Sequence, residues 1–177
     1  MSVDWIKLGE VAKTSSGGTP ARGNKNYYGG DIPWIKSGEL PDGEIFSCEE
    51  TITEQGLNDS SAKVLPEGTL LMAMYGATVG KLGVLTFPAA TNQAVCAILP
   101  TSQLEKDYLF YWLLYIRGDL IKTSFGGAQP NISQAAVQNI ELPLPVITEQ
   151  TKIAGNLKAQ LAEVETARQA LEIQQQE

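Results

Sequence analysis

Two amides beside a proline are the side chains best suited to recognise a nucleic-acid base. Gln129 and Asn131 flank Pro130 in the segment 126–133, which begins with two glycines. Each amide presents a hydrogen-bond donor beside an acceptor, the pattern that pairs with the N6 and N7 edge of adenine. Glycine allows close backbone approach, and proline fixes φ. The segment therefore predicts a loop that presents amides to a polar partner.

Groups for catalysis are sparse in the sequence. The chain has no histidine and two cysteines, so it lacks the commonest general base and a thiolate zinc site. Residues 76–82 imitate a phosphate-binding loop, but the glycines are one residue too close and Leu82 replaces the Ser or Thr that binds magnesium. The chain also lacks an Asn/Asp-Pro-Pro-aromatic stretch for adenine methylation. We therefore predict no catalytic residue, no metal site and no cofactor bound by this chain.

The charges are separated along the chain, although their sum is −7. Residues 39–67 are acidic and contain Lys63 as their one basic residue; the acidic residues are Glu39, Asp42, Glu44, Glu49, Glu50, Glu54, Asp59 and Glu67. Residues 13–36 are basic and contain Asp31 as their one acidic residue; the basic residues are Lys13, Arg22, Lys25 and Lys36. A separate basic face would allow an acidic protein to approach a polyanion. Two alternatives stay open: both segments are solvated loops, or the carboxylates belong to a stand-alone enzyme acting on sugars or nucleotides.

Apolar runs and turn residues predict an α+β domain with a twisted mixed β-sheet and short helices. Strands are predicted at 69–74, 82–86 and 94–99, where apolar runs are mostly bounded by Gly or Pro. Residues 32–36 predict an edge strand, because Pro33 cannot donate to a central ladder. Residues 5–11 predict an opening turn. Residues 108–121 predict a buried or half-buried helix. Residues 140–146 contain two prolines and predict an extended segment at the exit of the domain.

The composition favours a globular protein of the cytoplasm. Apolar residues make up 43% and charged residues 19% of the chain, and no run approaches 18 apolar residues. The N-terminus lacks the basic and apolar regions of a signal peptide. Cys96 lies in an apolar run, where a reduced core thiol is expected rather than a disulfide. We therefore expect a cytoplasmic location and no contact with a membrane.

The C-terminal segment predicts one long helix that pairs with another helix. Thr148 is the expected N-cap, and no proline interrupts the segment that follows. Six residues recur at alternating spacings of three and four and form a heptad seam, the stripe of a helix that faces a partner helix. They are Ala154, Leu157, Leu161, Val164, Arg168 and Leu171. A helix from 149 to 177 would be about 44 Å long. The alternative is that this helix folds back onto its own domain.

Polar loops bounded by glycine recur in a fixed order along the chain. They lie at 17–22, 27–38, 56–62, 74–81, 90–94 and 126–133, and a proline-rich exit and a helix containing Glu149-Gln150 and Ile153 follow. In this order the chain resembles the specificity subunits of type I restriction–modification systems. The resemblance covers essentially the whole sequence.

The resemblance implies a target-recognition domain at 1–147 and a conserved spacer helix at 148–177, which would also dimerise. It implies a non-catalytic subunit that binds a half-site on double-stranded DNA. The partners would be an adenine-N6 methyltransferase subunit, which holds S-adenosylmethionine, and a restriction subunit where one exists. Two copies joined through their helices would form a homodimer, restore the two-fold arrangement of the family and recognise a bipartite site.

Candidate DNA contacts follow from side-chain chemistry. The expected phosphate contacts are Lys13, Arg22, Lys25, Lys36 and Lys81. The expected base or sugar contacts are Tyr75, Thr78, Asn92, Gln93, Gln129 and Asn131, assisted by Thr19 and Ser37. Some of these groups could instead hold loops together, and Ser133 could cap a helix that begins at Gln134. The alternative function is a protein–protein adaptor that acts through its coiled-coil helix and binds no DNA.

Overall fold

The computed structural model describes residues 3–123 and 131–174. The helices are α1 (Leu8–Val11), α2 (Glu54–Asn58), α3 (Lys106–Thr123), α4 (Gln134–Gln138) and α5 (Ile147–Gln174). The strands are β1 (Trp5–Lys7), β2 (Thr14–Ser16), β3 (Tyr28–Ile35), β4 (Gly43–Ile45), β5 (Glu50–Ile52), β6 (Leu70–Ala73), β7 (Leu82–Leu85), β8 (Ala90–Thr91), β9 (Val95–Ile98) and β10 (Glu141–Pro143). The mixed α+β fold with its long C-terminal helix is confirmed. Gln129 lies outside the described residues.

A five-stranded mixed sheet forms the centre of the domain, in the order β2-β9-β6-β7-β4. Its pairs are antiparallel except β4 with β7. The strands predicted at 69–74, 82–86 and 94–99 are its three inner strands, β6, β7 and β9. Their residues are buried throughout. Because both faces are covered, the sequence of each strand is a continuous apolar run rather than an alternation.

The two faces of this sheet pack in two different cores. Leu70 and Met72 face a cluster that includes residues of α1, α3, α4 and α5. Leu71 and Ala73, which alternate with them, face a second cluster that contains Ile35. Cys96 is buried and not in a disulfide, as expected. Burial raises the pKa of its thiol to about 12, so this cysteine is an inert core residue.

The strand around Pro33 is central, so the prediction of an edge strand is wrong. β3 lies between β5 and β8 in a three-stranded sheet. β8 pairs only with Trp34 and Ile35, while Pro33 pairs only with Thr51 of β5. Proline is tolerated because the second neighbour begins one residue after it.

Both ends of the domain meet in a small sheet beside α3. β1 pairs antiparallel with β10, so the opening turn contains a strand, and the predicted extended exit forms the second strand. Tyr108 donates from its hydroxyl to the carbonyl oxygen of Pro143 at 2.8 Å, and the indole of Trp112 donates to that of Glu141 at 3.1 Å. The apolar residues 108–121 lie within α3, which is half-buried as predicted.

One buried glutamine fixes the start of α5 on the domain. Gln150 is fully buried. Its Oε1 accepts from the backbone N–H of Glu105 at 2.9 Å, and its Nε2 donates to the carbonyl oxygens of Gln103 at 3.0 Å and Pro145 at 2.9 Å. Thr148 lies inside the helix, so its prediction as the N-cap is wrong. The helix starts earlier because Val146 already accepts from the N–H groups of Glu149 and Gln150.

The rest of α5 extends away from the domain. Ala154 is buried and Ile153 half-buried beside α3, but every residue from 155 to 174 is exposed. At 28 residues the helix is about 42 Å long. The alternative of a helix that folds back is therefore correct only for its N-terminal part, where Ala154 packs in the core and the Lys158 ammonium lies 3.9 Å from the Asp107 carboxylate of α3.

Candidate nucleic-acid interface

A loop with two glycines passes directly over β8. Gly17 donates its N–H to the carbonyl oxygen of Val95 at 3.1 Å, and Gly18 donates to that of Thr91 at 2.9 Å. A Cβ atom on Gly17 would overlap the carbonyl oxygens of Thr91 and Asn92, and one on Gly18 would overlap the backbone of Ala62. Glycine is required here because the two backbones touch. The close approach brings the next residue, Thr19, to hydrogen-bond distance of Gln93.

Three further loops continue this surface. Met74 donates its N–H to the carbonyl oxygen of Ala94 at 2.8 Å, and its own carbonyl accepts from Ile132 at 2.7 Å. Tyr75 and Asn131 are paired by an antiparallel bridge. Hydrogen bonds therefore connect the segments 17–19, 92–94, 74–75 and 131–132 in one row at the end of β6.

The loop between β6 and β7 carries two further candidates. Gly76 and Gly80 have positive φ of 82° and 77°, a conformation that favours glycine. Gly80 donates to the carbonyl oxygen of Ala73 at 2.8 Å, and Lys81 donates to that of Thr78 at 2.9 Å. Lys81 is exposed and Thr78 half-buried. Residues 76–82, whose sequence imitates a phosphate-binding loop, thus form a tight turn that is closed by hydrogen bonds and leaves Lys81 exposed.

Two of the predicted phosphate contacts form ion pairs with acidic residues. Arg22 lies 2.6 Å from Glu50, while Lys36 lies 2.7 Å from Glu49 and 3.1 Å from Glu50. The hydrogen bond from Arg22 lowers the pKa of the Glu50 carboxyl, and the hydrogen bond to Glu49 raises the pKa of the Lys36 ammonium. We name these four residues the ion network; it lies beside the Gly17–Gly18 loop.

Aromatic rings hold the ion network against the domain. The Arg22 guanidinium lies 4.7 Å from the ring centre of Tyr28 and 4.8 Å from that of Trp34. The indole of Trp34 donates to the carbonyl oxygen of Gly18 at 3.0 Å. In the sequence the glutamates belong to an acidic segment, and nothing there predicts this pairing. Only the antiparallel register of β5 against β3, which sets Glu50 opposite Trp34, brings them here.

Other predicted residues lie apart from this row of loops. Lys13 precedes β2, and its carbonyl oxygen accepts from Leu99, whereas Gly17 follows the same strand. It therefore lies at the opposite end of β2 and does not join the proposed contacts. Lys25 is exposed in a 3₁₀ turn that precedes β3. Ser37 is half-buried in the turn after β3, next to Lys36.

Local bonds also involve Asn92 and Ser133. The backbone N–H of Asn92 donates to the carbonyl oxygen of Ile35 at 3.0 Å. The Asn92 Oδ1 and the Thr91 hydroxyl are buried and have no hydrogen-bond partner among the described residues. Ser133 accepts from the N–H of Ala136 at 3.1 Å and caps α4, as predicted. Asn131, two residues earlier, stays exposed.

The predicted helix seam is divided between the domain and solvent. Ala154 is 4% exposed and packs within its own domain, so it does not contribute to an exposed seam. Leu157, Leu161, Val164 and Leu171 are 36–64% exposed. Arg168 pairs with Glu165 at 3.1 Å on the helix surface. An apolar groove continues the seam onto α3; Tyr111, Tyr115, Leu157 and Leu161 are among its lining residues.

The described part of the chain lacks two further features. Within 3–123 and 131–174, no three cysteine or carboxylate side chains are grouped so that they could hold a metal ion. No helix in those residues is long and apolar enough to cross a membrane.

A family model for the type I restriction modification DNA specificity domain matches residues 2–175. The chain belongs to this family. It is 32% identical over 158 residues to the MjaIX specificity subunit of Methanocaldococcus jannaschii, and the match covers 85% of this chain and 36% of that subunit. It is 27% identical to the EcoR124I/EcoR124II specificity subunit of Escherichia coli, over 85% of this chain and 39% of the relative.

Solved structures of the type I restriction–modification specificity family share the fold. A chain from a study of complex assembly and conformational transition of the type I system superposes with a TM-score of 0.78 at 25% identity, over 94% of this chain and 40% of that one. The HsdS subunit of Thermoanaerobacter tengcongensis superposes with a TM-score of 0.76 at 24% identity, over 94% of this chain and 39% of that subunit. The present chain thus spans about two fifths of the length of these relatives.

Proposed function

We propose that this chain binds double-stranded DNA sequence-specifically and directs a partner adenine-N6 methyltransferase to a half of a bipartite site. The observation that carries the proposal is the row of four hydrogen-bonded loops, which gathers Thr19, Tyr75, Gln93 and Asn131 at one end of the central sheet. Amide and hydroxyl groups on rigid loops are suited to base-edge contacts. Lys81 would contact a phosphate.

The reaction itself belongs to the partner in this proposal. The methyltransferase subunit would hold S-adenosylmethionine and methylate adenine, and a nuclease subunit, where present, would use the same recognition for restriction. The exposed part of α5, with the face opposite its seam, would supply the docking surface for the methyltransferase. The names of the relatives as specificity subunits support this division of roles.

One experiment tests the recognition role directly. N6-methyladenine is mapped across the genome of the source with and without this gene. The expected result is the loss of one palindromic motif that contains an unspecified spacer. An unchanged methylation map would contradict the proposal and favour the protein–protein adaptor, for which the exposed apolar residues of α5 are the supporting observation.

A shortened chain tests the role of α5. A cut before Gln150 would also remove the buried contacts of that residue and of Ala154, so it would not leave the domain intact. We expect a chain that ends after Lys158 to keep its fold but lose methylation with the partner subunit. Full methylation by that chain would contradict the docking role, and its thermal unfolding profile is the control for folding.

A further inference from the structure

The ion network has a feature that simple DNA attraction does not explain. Two cations expected to contact phosphates are each already within 3.1 Å of a carboxylate. The side chain of Arg22 is 52% exposed and that of Glu49 is 69% exposed. The network therefore lies at the surface, where incoming DNA meets both signs of charge.

Arg22 has little freedom to leave its carboxylate partner. Its guanidinium lies within 4.8 Å of two ring centres, and stacked guanidinium groups are held by cation–π attraction. Both rings are themselves fixed, because Tyr28 donates to the carbonyl oxygen of Pro20 at 2.5 Å and Trp34 donates to Gly18 at 3.0 Å. The position of Arg22 is thus set by the domain rather than by DNA.

Glu50 occupies the place where a phosphate would bind. It contacts Arg22 and Lys36 together, and carboxylate and phosphate compete for the same planar guanidinium fork. Glu39 also orients the segment, because its carboxylate accepts from the backbone N–H groups of Lys36 at 2.9 Å and Glu49 at 2.8 Å. A phosphate that approaches must displace Glu50 and meets repulsion from Glu49.

This cost falls on DNA that binds through phosphate contacts alone. Phosphates carry no sequence information, so cations released to them would strengthen binding that lacks base contacts. Base contacts from the adjacent loop row are available only on a cognate site. A carboxylate that suppresses phosphate contacts therefore raises the ratio of specific to non-specific affinity.

We propose that Glu50, assisted by Glu49, is a specificity-determining residue that keeps Arg22 and Lys36 from the phosphates of non-cognate DNA. The inference rests on the proposed DNA-recognition function and adds a suppressing element to it. On a cognate duplex the base contacts fix the DNA over the loop row, and the two cations stay paired with their carboxylates.

The test compares charge-neutral variants on two duplexes. The chain in complex with its methyltransferase subunit is titrated with a duplex that contains the mapped site and with one that lacks it, over a series of salt concentrations. For Glu50→Gln we expect non-cognate affinity to rise about three- to fivefold, the size of one exposed ion pair, and cognate affinity to rise by a smaller factor. The slope of log affinity against log salt should steepen by about one to two units as one or two cations reach phosphates.

Matched variants separate this effect from net charge and from misfolding. Glu67→Gln removes the same charge from an exposed turn before β6, at the end of the sheet opposite the loop row, and should change nothing. Glu49→Gln changes an exposed side chain and should raise non-cognate affinity by a smaller factor. In an Arg22→Ala background the gain from Glu50→Gln should shrink, because one of the released cations is absent.

The outcomes distinguish this inference from the function on which it rests. If wild type prefers its site but neither Glu50→Gln nor Glu49→Gln raises non-cognate affinity, or if Glu50→Gln raises both affinities equally, the suppressing role is wrong and the recognition function stands. An equal rise in Glu67→Gln also overturns it. A wild-type complex with no preference between the duplexes contradicts the recognition function itself.

Discussion

At the scale of single residues, backbone proximity determines the shape of the candidate interface. Gly17 and Gly18 have ordinary negative φ, so their role is to leave space rather than to adopt a rare conformation. The sequence shows that glycines are present but not which of them touch another backbone. That information depends on β8, a two-residue strand too short to be predicted.

Gly17→Ala should destabilise the domain and distort the loop row. The added Cβ would overlap the backbone of Thr91 and Asn92, and such a clash can be relieved only by a backbone shift, with a cost of about 1–3 kcal/mol. Urea denaturation of the purified chain measures it. Gly38→Ala is the matched control, because a Cβ added to Gly38 would meet no atom within 4 Å. Equal unfolding free energies for both variants would contradict the close-approach argument.

A pair of lysines tests where DNA contacts the domain. Lys81→Ala should weaken binding to all duplexes and reduce the salt slope by about one unit, because Lys81 lies on the loop beside Tyr75. Lys13→Ala should leave the DNA affinity and the salt slope unchanged, since Lys13 lies at the other end of β2. Fluorescence anisotropy over a salt series measures both quantities. A larger loss in Lys13→Ala than in Lys81→Ala would place DNA on a different face.

At the scale of elements, burial decided which predictions from the sequence were right. β6, β7 and β9 were predictable because strands covered on both faces need long apolar runs. α4 was predictable from its serine cap, and α3 from its length and apolar character. β3 was placed wrongly at an edge because the pairing of Pro33 depends on where β8 begins. β4 and β5 carry mixed residues and were missed.

The start of α5 depends on a tertiary contact that sequence patterns do not contain. Thr148 had the right chemistry for a cap, but the buried side chain of Gln150 joins the first turn of the helix to the segment before α3. The position where α5 begins therefore depends on the side-chain amide of Gln150, three residues after the first residue of the helix. The role of this amide is visible only from its hydrogen-bond partners on distant segments.

Gln150→Leu should lower the free energy of unfolding by about 2–4 kcal/mol. The change leaves the N–H of Glu105 and the carbonyl of Gln103 without their buried partner, and each such group costs about 1–3 kcal/mol. Gln169→Leu, on the exposed part of the same helix, should change stability by less than about 0.5 kcal/mol. Chemical denaturation measures both variants. A similar small loss in both would mean that Gln150 is not the anchor of α5.

At the scale of the whole molecule, cations and carboxylates from different segments pair with each other instead of forming separate charged faces. Several carboxylates are engaged with cations: Glu50 and Glu49 in the ion network, Asp42 with Arg117 at 3.1 Å, and Glu44 with Lys106 at 3.6 Å. Charge counts along the sequence therefore overstated the separation of acidic and basic faces. The division that the fold does make is between a compact domain and a helix that extends from it.

That extended helix should join two copies of the chain. Val164 and Leu171 are 64% and 59% exposed, and they lie on the same side of α5 as Leu157 and Leu161. Apolar side chains at this spacing are covered when two helices pair. We therefore expect a dimer whose fraction increases with concentration, observed by sedimentation velocity between micromolar and hundred-micromolar protein.

Two variants test this pairing: one places a charge on the seam of α5, and the other places the same charge on the opposite side of the helix. Val164→Asp should weaken the dimer at least tenfold, because it would bury an unpaired carboxylate between helices. Thr166→Asp adds the same charge on the opposite side of the helix, where it stays in water, and should leave the dimer intact. If both variants behave as wild type, or if wild type stays monomeric throughout, the seam binds something other than a second copy. The bipartite site that we propose would then require its second half from another polypeptide.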